Sequence, residues 1–248
     1  MQRSGISYGI DIGGSGMKAS TVDLTTGELT ADRYRIDTPK HSTPERLADV
    51  VAELVDHHEW SGPVGVCMPS VVMHGVVRTA ANIDDSWIHV DAASLFSETI
   101  GVPVSVCNDA DAAGLAEVTW GSGRDRDGVV LCLTFGTGIG SGMFVDGVLV
   151  PNTELGHIEL DGHDAEVHAA ARARKDRGMS WHEWGDRVNR YLQHIESLLW
   201  PDLIIVGGGA SKQGHRWLDR IHVECDVVVA SLQNNAGIAG AALNAPRE

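Results

Sequence analysis

The sequence predicts an α/β protein built from two similar halves, and three observations lead to this prediction. Short apolar runs of strand length alternate along the chain with longer segments of helical periodicity. A strand, a glycine-rich turn and a second strand occur in 8–22 and again in 128–150, so one architectural unit occurs twice. The length of 248 residues suits two domains or one large domain.

The composition excludes some classes of protein and partner. Acidic residues number 34 and basic residues 19, which leaves a formal net charge of −15. Duplex affinity comes largely from Lys and Arg side chains that neutralise phosphates, so we expect no nucleic-acid partner. Hydrophobic residues make up 43% of the chain and charged residues 21%, which is typical of folded rather than disordered proteins.

Targeting and cysteine patterns predict a cytoplasmic protein. The first strand-like run begins at Ser7, which leaves no room for an export signal. No apolar run reaches the length of about 18 residues that a membrane-spanning helix needs, so we expect no membrane partner. The four cysteines include no C-x-x-C pair and are interpreted as reduced, buried side chains.

The first half opens as a predicted meander of three strands, at 8–12, 17–22 and 28–36. A helix follows, in which Ser42 and Glu45 have the spacing of a capping box and the residues from Leu47 to Val55 form an apolar stripe. The later elements are a strand at 64–68, an irregular segment at 82–89, a helix at 92–100, a strand at 102–107 and a helix at 110–120.

The second half repeats the opening pattern. A strand at 128–135, a glycine turn at 136–142 and a hairpin at 143–150 come first. A long helix then ends at Pro201, and a buried strand at 203–206 leads into the glycines at 207–209. We predict a small lobe formed by 1–110 and the helix of 235–248, and a large lobe formed by 111–234, with a cleft between the lobes.

Three glycine turns are candidate phosphate sites. Backbone N–H groups in tight glycine turns can approach a phosphate closely because no Cβ intervenes. The alternative is that each turn merely closes a β-hairpin. The chain contains no G-x-x-x-x-G-K-[ST] motif, which excludes a Walker-type NTPase. Residues 14–19 match the loose dinucleotide pattern, but they continue as a strand where that fingerprint opens a helix.

Asp109 is the candidate for the reacting centre. It follows an apolar strand and Asn108, and it precedes a helix whose N-terminal dipole favours an ionised carboxylate. Such a carboxylate can accept a proton late in a loose phosphoryl transfer. The alternative is that Asp109 simply caps the helix.

The segment Glu154-Leu-Gly-His157 is a candidate sugar-binding turn. A carboxylate and an imidazole can converge there across a glycine, and this pair suits the hydroxyl groups of a sugar. The alternatives are an ordinary surface loop, or a metal site completed by Glu159 and His163.

Taken in order, these motifs resemble those of the ROK family of sugar kinases, and most closely its polyphosphate glucokinase branch. The family-level likeness rests on 8–18, 108–113, 133–142 and 154–157. The branch-level likeness rests on 80–88, 180–184, 205–212 and 232–238. The resemblance implies the actin-like ATPase (ribonuclease H-like) fold, with two lobes and a cleft between them.

The resemblance also implies a reaction and a set of site residues. The reaction is transfer of the terminal phosphoryl group of inorganic polyphosphate, or of ATP, to the 6-hydroxyl of glucose with Mg²⁺, with Asp109 as the base. The implied sugar ligands are Asn82, Asn108, Asp109, Glu154, His157 and Glu166, and Asp11 would orient the metal through water. The implied phosphate ligands are Gly13, Gly14, Ser15, Gly16, Lys18, Gly136, Thr137, Gly138, Gly140, Gly208 and Gly209.

The sequence departs from the family pattern in two places. Many members place a cysteine-rich zinc motif after the Gly-His turn, whereas 158–177 contains no cysteine, so we expect no structural zinc. The usual Pro-Gly after the strand at 64–68 is Pro69-Ser70 here, so we expect the sugar-side loop to differ in shape.

Donor choice and assembly stay open at this point. One basic run contains Arg172, Arg174, Lys175 and Arg177, and the other contains Lys212, Arg216 and Arg220. Either run suits a polyphosphate track or a solvated helix face, and 207–209 could equally face an adenine. We expect a homodimer, with the Trp-rich helix of 180–200 either at the contact or packed in the core.

Other functions compete with polyphosphate glucokinase activity. The nearest is an ATP-dependent hexokinase acting on glucose or mannose. A sugar-responsive regulator of the same family would carry a DNA-binding helix-turn-helix before the first phosphate strand. A catalytically idle glucose-binding module would not need each of the expected catalytic positions to be filled, as they are here.

Overall fold

The computed structural model describes residues 4–247. The strands are, in chain order, β1 (Ile6–Ile12), β2 (Met17–Asp23), β3 (Tyr34–Ile36), β4 (Val64–Met68), β5 (Val72–Met73), β6 (Val76–Val77), β7 (Val104–Asn108), β8 (Val129–Phe135), β9 (Ile139–Val145), β10 (Val148–Val150), β11 (Glu159–Leu160), β12 (His163–Asp164), β13 (Leu203–Gly207) and β14 (Asp226–Val229). The helices are α1 (Pro44–His57), α2 (Ala92–Ile100), α3 (Asp109–Trp120), α4 (Glu166–Ala169), α5 (Ala171–Asp176), α6 (Trp181–Leu199) and α7 (Ala236–Asn244). Among these described helices, none combines the length and apolar character needed to cross a membrane.

The described residues fall into two compact units, one formed by 4–116 with 235–247 and the other by 117–234. The first unit has a sheet in the order β3-β2-β1-β4-β7 and the second a sheet in the order β10-β9-β8-β13-β14. In each sheet three antiparallel strands come first and two more strands then add in parallel. The two sheets therefore share one topology, as the repeated strand and glycine pattern predicts.

Apolar periodicity explains the two cores. In the first unit, Leu47, Val51 and Leu54 of α1 are fully buried in the same core as Tyr8 and Ile10 of β1. The second core is built around aromatic side chains, namely Phe135, Trp184, Tyr191 and Trp217. The Trp-rich helix α6 thus places Trp184 in the core.

The terminal helix α7 packs on the first sheet through glycines. A Cβ at Gly9 of β1 would lie 2.0 Å from the carbonyl oxygen of Ile238, and one at Gly65 of β4 would lie 1.7 Å from that of Ala241. Any larger residue at either position would collide with the helix backbone. Because these two strand positions are glycine, the backbone of α7 can lie directly against the first sheet.

Two expectations about strand and turn boundaries were wrong. The third strand was expected at 28–36, but β3 covers only Tyr34–Ile36. The chain before it meets β2 only at an isolated bridge between Leu29 and Val22, and Ser20 Oγ then donates to the Ala31 carbonyl at 2.9 Å, where no strand pairing continues. The glycine turn was expected at 136–142, but β9 begins at Ile139, so that Gly140 pairs with Thr134 within the sheet. Gly140 is therefore a strand residue outside the turn.

The expected capping box of α1 is absent from the described structure. Ser42 Oγ accepts a hydrogen bond from the Asp84 N–H at 3.1 Å, and the Ser42 carbonyl accepts one from Trp87 Nε1 at 2.7 Å. Thr43 occupies the N-cap position without a side-chain cap, and Pro44 begins the helix. Ser42 instead fixes the irregular segment that contains Asn82.

One buried carboxylate joins distant parts of the second unit. Glu117 is 1% exposed, and its two oxygens accept hydrogen bonds from the N–H groups of Ser122, Ser231 and Leu232 at 2.7–3.1 Å. The Ser231 hydroxyl adds a further contact at 3.2 Å. A charged acceptor with this many donors stabilises the fold, whereas a lost partner in a buried network is costly.

We expect Glu117→Gln to destabilise the protein by about 1–3 kcal/mol, because an amide cannot accept every one of these hydrogen bonds. Urea unfolding measures the effect. The control is Glu53→Gln on the exposed face of α1, where a change within about 0.5 kcal/mol is expected. Equal stability of the two variants would contradict this account of Glu117.

Candidate active site

The carboxyl ends of parallel strands collect polar side chains at one edge of the first sheet. Asp11 of β1 pairs in register with Cys67 of β4, and Met68 of β4 pairs with Asn108 of β7. Because β1, β4 and β7 run parallel, Asp11, Ser70 and Asp109 all come at or just after the same end of their strands. Open α/β sheets bind ligands at this edge.

Asn108 caps α3, so the alternative role of Asp109 as helix cap is wrong. Asn108 Oδ1 accepts hydrogen bonds from the N–H groups of Ala110 and Asp111 at 2.8 and 3.1 Å. Its Nδ2 donates to the Ser70 carbonyl at 3.2 Å, which ties the loop after β4 to the start of the helix. Asn108 therefore orients the backbone from which the Asp109 side chain projects.

Asp109 is the first residue of α3 and is half-buried. Burial raises the pKa of the Cys67 thiol, and the negative charges of Asp11 and Asp109 raise it further. Both carboxylates therefore lie close enough to Cys67 to act on it. The N-terminal dipole of α3 favours the charged form of a carboxylate at the position of Asp109.

The first glycine turn is held by two side chains. Within the turn, the Gly13 N–H donates to the Gly16 carbonyl at 3.2 Å, so the Gly13 amide is already engaged. Thr38 Oγ1 donates to the Gly13 carbonyl, and the Arg35 guanidinium donates to the Ser15 carbonyl at 2.7 Å. A Cβ at Gly16 would lie 2.5 Å from the Arg35 side chain, which leaves Gly14 and Ser15 as the exposed part of the turn.

Asp11 is one half of an ion pair across β1 and β2. Lys18 Nζ lies 3.0 Å from Asp11 Oδ2, and the two residues are directly opposite in the antiparallel ladder. Lys18 therefore presents its charge beside the first glycine turn while holding the Asp11 carboxylate in place. Mg²⁺ in phosphate sites is bound by one or two carboxylates, several waters and the substrate phosphates. The single carboxylate of Asp11 fits that pattern.

Asn82 lies beside the same turn. Its backbone oxygen would be 3.9 Å from a Cβ at Gly14, and the residue is exposed. The first unit thus brings together Asn82 and the first glycine turn, and it places Asp11, Asn108 and Asp109 at one sheet edge.

The other two glycine turns are neighbours within the second unit. They follow β8 and β13, which are parallel and paired. Gly208 has a positive φ of 76°, and a Cβ there would lie 2.6 Å from the Phe135 carbonyl oxygen, so only glycine fits. In the turn after β8 the Gly136 N–H donates to the Gly138 carbonyl at 3.0 Å, which leaves Thr137 exposed at the tip.

Glu166 at the start of α4 supports the second glycine turn. Its Oε2 accepts a hydrogen bond from the Ile139 N–H at 2.9 Å and would lie 2.4 Å from a Cβ at Gly138. The same carboxylate acts electrostatically on Glu154 and His157. Glu166 therefore lies between the second glycine turn and the predicted sugar-binding turn.

The predicted sugar-binding turn forms a 3-10 helix over Leu155–His157. His157 Nε2 lies 3.9 Å from Glu154 Oε2, and His157 Nδ1 lies 2.9 Å from Asp164 Oδ2. The hydrogen bond to Asp164 raises the pKa of His157, and burial raises the pKa of Glu154 despite the nearby imidazole. The carboxylate and imidazole thus converge as expected, with Asp164 as an unexpected third member.

The alternative metal site is not assembled. No three His, Cys, Asp or Glu side chains in residues 4–247 are grouped so that they could hold a metal ion. His163 Nδ1 instead contacts the Asp161 carbonyl at 3.0 Å.

Sequence reasoning missed Arg35 and Asp164. Arg35 lies 20 residues beyond Ser15 and Asp164 lies seven beyond His157 in the chain. Neither belongs to a motif, and only the strand pairings of β2 with β3 and of β11 with β12 place them here.

Comparison with known proteins places the chain among sugar kinases. A sequence model of the ROK family matches residues 7–174. The polyphosphate glucokinase of Mycobacterium tuberculosis (strain CDC 1551 / Oshkosh) is 48% identical over 98% of this chain and 91% of that protein. The crystal structure of the inorganic polyphosphate/ATP-glucomannokinase from Arthrobacter sp. strain KM has a TM-score of 0.93 and 47% identity, covering 97% of this chain and 98% of that one.

A second solved structure extends the likeness. It is a ROK family glucokinase from Streptomyces griseus in complex with glucose and AMPPNP, with a TM-score of 0.84 and 26% identity over 97% of this chain and 99% of that chain. These likenesses confirm the expected actin-like ATPase fold.

We expect Asp164→Asn to lower the pKa of His157 towards its ordinary value, because the protonated Nδ1–H donates to the carboxylate. The pair stabilises the folded state fully at a pH below the ordinary His value, and this contribution is lost as the pH rises through the raised pKa. NMR titration of the His157 ring measures the shift.

The matched control is Asp161→Asn, in the same β11–β12 hairpin, since Asp161 pairs with Arg190. Asn tolerates the positive φ of 58° at this position. An unchanged His157 titration in Asp164→Asn, as in the control, would refute the proposed origin of the shift.

Proposed function

The chain belongs to the ROK family, and from this premise we propose that it is a sugar kinase that transfers the terminal phosphoryl group of inorganic polyphosphate to the 6-hydroxyl of glucose. The observation that carries the proposal is the edge of the first sheet, where Asp11, Asn108 and Asp109 end parallel strands. The 48% identity to a polyphosphate glucokinase over 98% of the chain supports the choice of donor and acceptor.

In this reaction Asp109 accepts the proton of the sugar 6-hydroxyl. The hydroxyl oxygen forms a bond to the terminal phosphorus, the bridging P–O bond breaks, and the shortened polyphosphate leaves with the bonding electrons. Positioning supplies most of the catalysis in such a loose transfer, so the capped start of α3 matters as much as the basicity of the carboxylate.

The proposed sugar ligands are the six residues that the motifs indicate. Asn82, Asn108 and Asp109 belong to the first unit, and Glu154, His157 and Glu166 belong to the second. Because the pKa of Glu154 is raised by burial and that of His157 by Asp164, the pair offers both acceptors and a donor to sugar hydroxyl groups.

The proposed donor ligands are the glycine turns with Lys18. The exposed residues Gly14, Ser15 and Thr137 would meet the phosphates through backbone amides, and Arg35 adds a charge beside the first turn. Mg²⁺, when bound, would neutralise charge on the transferring phosphates. Asp11, held by Lys18, is the residue that would orient the ion through water.

ATP is a second candidate donor and mannose a second acceptor. The Arthrobacter enzyme with a TM-score of 0.93 is named for polyphosphate, ATP, glucose and mannose together. Initial rates with polyphosphate and with ATP, each across glucose, mannose and fructose, separate these possibilities. A faster rate with ATP than with polyphosphate would favour the ATP-dependent hexokinase.

A homodimer in the cytoplasm stays a prediction. At the end of α6, Leu198 is 53% exposed and Trp200 is 73% exposed, which offers apolar surface for a second copy. Sedimentation of the purified chain tests the dimer.

We expect Asp109→Asn to lower kcat by a factor of roughly 10²–10⁴, because the amide cannot accept the hydroxyl proton. Coupled detection of glucose 6-phosphate measures the rate. The loss is expected with either donor, since the acceptor is common to both.

The control is Asp56→Asn, an exposed aspartate on α1, which is expected to keep the normal rate. Circular dichroism of both variants checks that they fold. Near-normal turnover by folded Asp109→Asn would exclude Asp109 as the base.

A further inference from the structure

A cavity of about 630 Å³ in the second unit is lined by Arg174, Ser180, Trp181, His182 and Arg216. The guanidinium carbon of Arg174 lies 3.9 Å from the centre of the Trp181 ring, and that of Arg216 lies 5.4 Å from it. Cations are attracted to the π face of tryptophan, so the indole holds both guanidinium groups in place. The two basic runs of the sequence therefore meet at one aromatic side chain.

Carboxylates of the described residues do not neutralise the arginine charges at this cavity. Within residues 4–247, Arg174 and Arg216 have no carboxylate at ion-pair distance, and Arg174 donates only to the Met179 carbonyl at 3.1 Å. The nearby Lys175 and Lys212 are exposed and likewise without an ion pair in that range. Two other arginines of the runs differ, since Arg172 pairs with Asp176 and Arg220 with Asp186, while Arg177 contacts His168 Nδ1 at 2.7 Å.

One carboxylate, that of Asp219, lies close to a side chain that lines the cavity. His182 Nε2 is 3.8 Å from Asp219, and both side chains are more than half exposed, so water screens the pair. In a chain with a net charge of −15, the two arginines that line this cavity, each with an exposed lysine in the same basic run, form a local positive site. Such a site attracts polyanions.

Each element that carries one of the two arginines is connected to a glycine turn, α5 by a hydrogen bond and the 3-10 helix by the chain itself. The Arg172 N–H at the start of α5 donates to the Gly136 carbonyl at 3.0 Å, and Arg174 follows two residues later. A 3-10 helix at Ser211–Arg216 leads from the third glycine turn to Arg216. The six residues of α5 span only about 9 Å at 1.5 Å per residue.

The geometry points to a binding site for the distal part of the polyphosphate chain, beyond the phosphates held at the glycine turns. This inference rests on the proposed function, which places the reacting end of the donor at those turns. Guanidinium groups bind phosphate oxygens in bidentate fashion. Because the Trp181 ring already holds the two arginine side chains, they lose less conformational entropy when they bind a phosphate. Phosphates of the donor beyond those at the turns would lie beside Arg174 and Arg216, whose side chains are already held in place.

The cavity suits phosphates better than a nucleotide base. Arg174 already covers one face of Trp181 at 3.9 Å, so stacking a neutral base there would displace it. A nucleoside triphosphate also carries its charges on three adjacent phosphates, whereas polyphosphate carries charge along its whole length. Donor chain length therefore distinguishes the two ligands.

The test is Arg216→Gln, which removes one exposed charge. We expect the KM for long-chain polyphosphate to rise about tenfold, as for loss of a charge-assisted hydrogen bond, with kcat unchanged. The KM values for tripolyphosphate, ATP and glucose are expected to stay the same. Arg187→Gln is the control, because Arg187 is exposed on α6 and has no ion pair in the described residues.

Two outcomes would overturn the inference. One is equal KM values for long-chain polyphosphate in Arg216→Gln and Arg187→Gln. The other is an equal rise in the KM for ATP, which would assign the cavity to the nucleotide.

Binding without turnover separates this inference from the proposed function. Long-chain polyphosphate is titrated by calorimetry into the wild type and both variants, with EDTA and without glucose. Weaker binding by Arg216→Gln alone supports the site even if no glucose 6-phosphate forms, in which case only the proposed function fails. Normal turnover with binding unaffected by Arg216→Gln leaves the function standing and excludes the site.

Discussion

Direct contact between the backbone of α7 and the first sheet is the constraint on which the candidate site depends. Beyond the contacts at Gly9 and Gly65, a Cβ at Gly240 would lie 1.7 Å from the carbonyl oxygen of Ala112, so α7 also touches the backbone of α3. At the start of α7, a Cβ at Gly237 would lie 3.0 Å from Cγ of Asp11. The last helix of the chain therefore holds both the strand that carries Asp11 and the helix that begins with Asp109. Close packing of this kind transmits small changes, so a single methyl group in α7 would disturb the sheet edge.

The second unit uses the same arrangement of parallel strands for a different task. Its glycine turns follow β8 and β13, and carboxylates hold the surrounding backbone: Glu166 accepts from the Ile139 N–H, and Glu117 accepts from the segments around Ser122 and Ser231. Acidic side chains thus serve as internal acceptors in this unit, while exposed cations gather at Trp181. This separation explains how a chain with a net charge of −15 can offer a positive surface to a polyanion.

Features determined by neighbouring residues could be predicted from the sequence, and features determined by distant ones could not. The strand and glycine pattern predicts both sheets because alternation and turn chemistry act over a few residues. Ser42 has the spacing of a helix cap, yet it binds Asp84 and Trp87 some 40 residues away. Gly140 reads as part of a turn, but pairing with β8 makes it a strand residue. In the candidate site, the motifs predict roles for Asp109 and the Glu154–His157 pair. Arg35 and Asp164 could not be predicted, because only strand pairing brings them near these residues.

The central claim is that this chain moves a phosphoryl group from polyphosphate directly to a sugar hydroxyl. ³¹P NMR of the purified protein with glucose, Mg²⁺ and long-chain polyphosphate, in the absence of any nucleotide, tests it most directly. The account predicts that a glucose 6-phosphate resonance grows as the polyphosphate chain shortens, with little orthophosphate released. Release of orthophosphate alone, or no change in the spectrum, would contradict it.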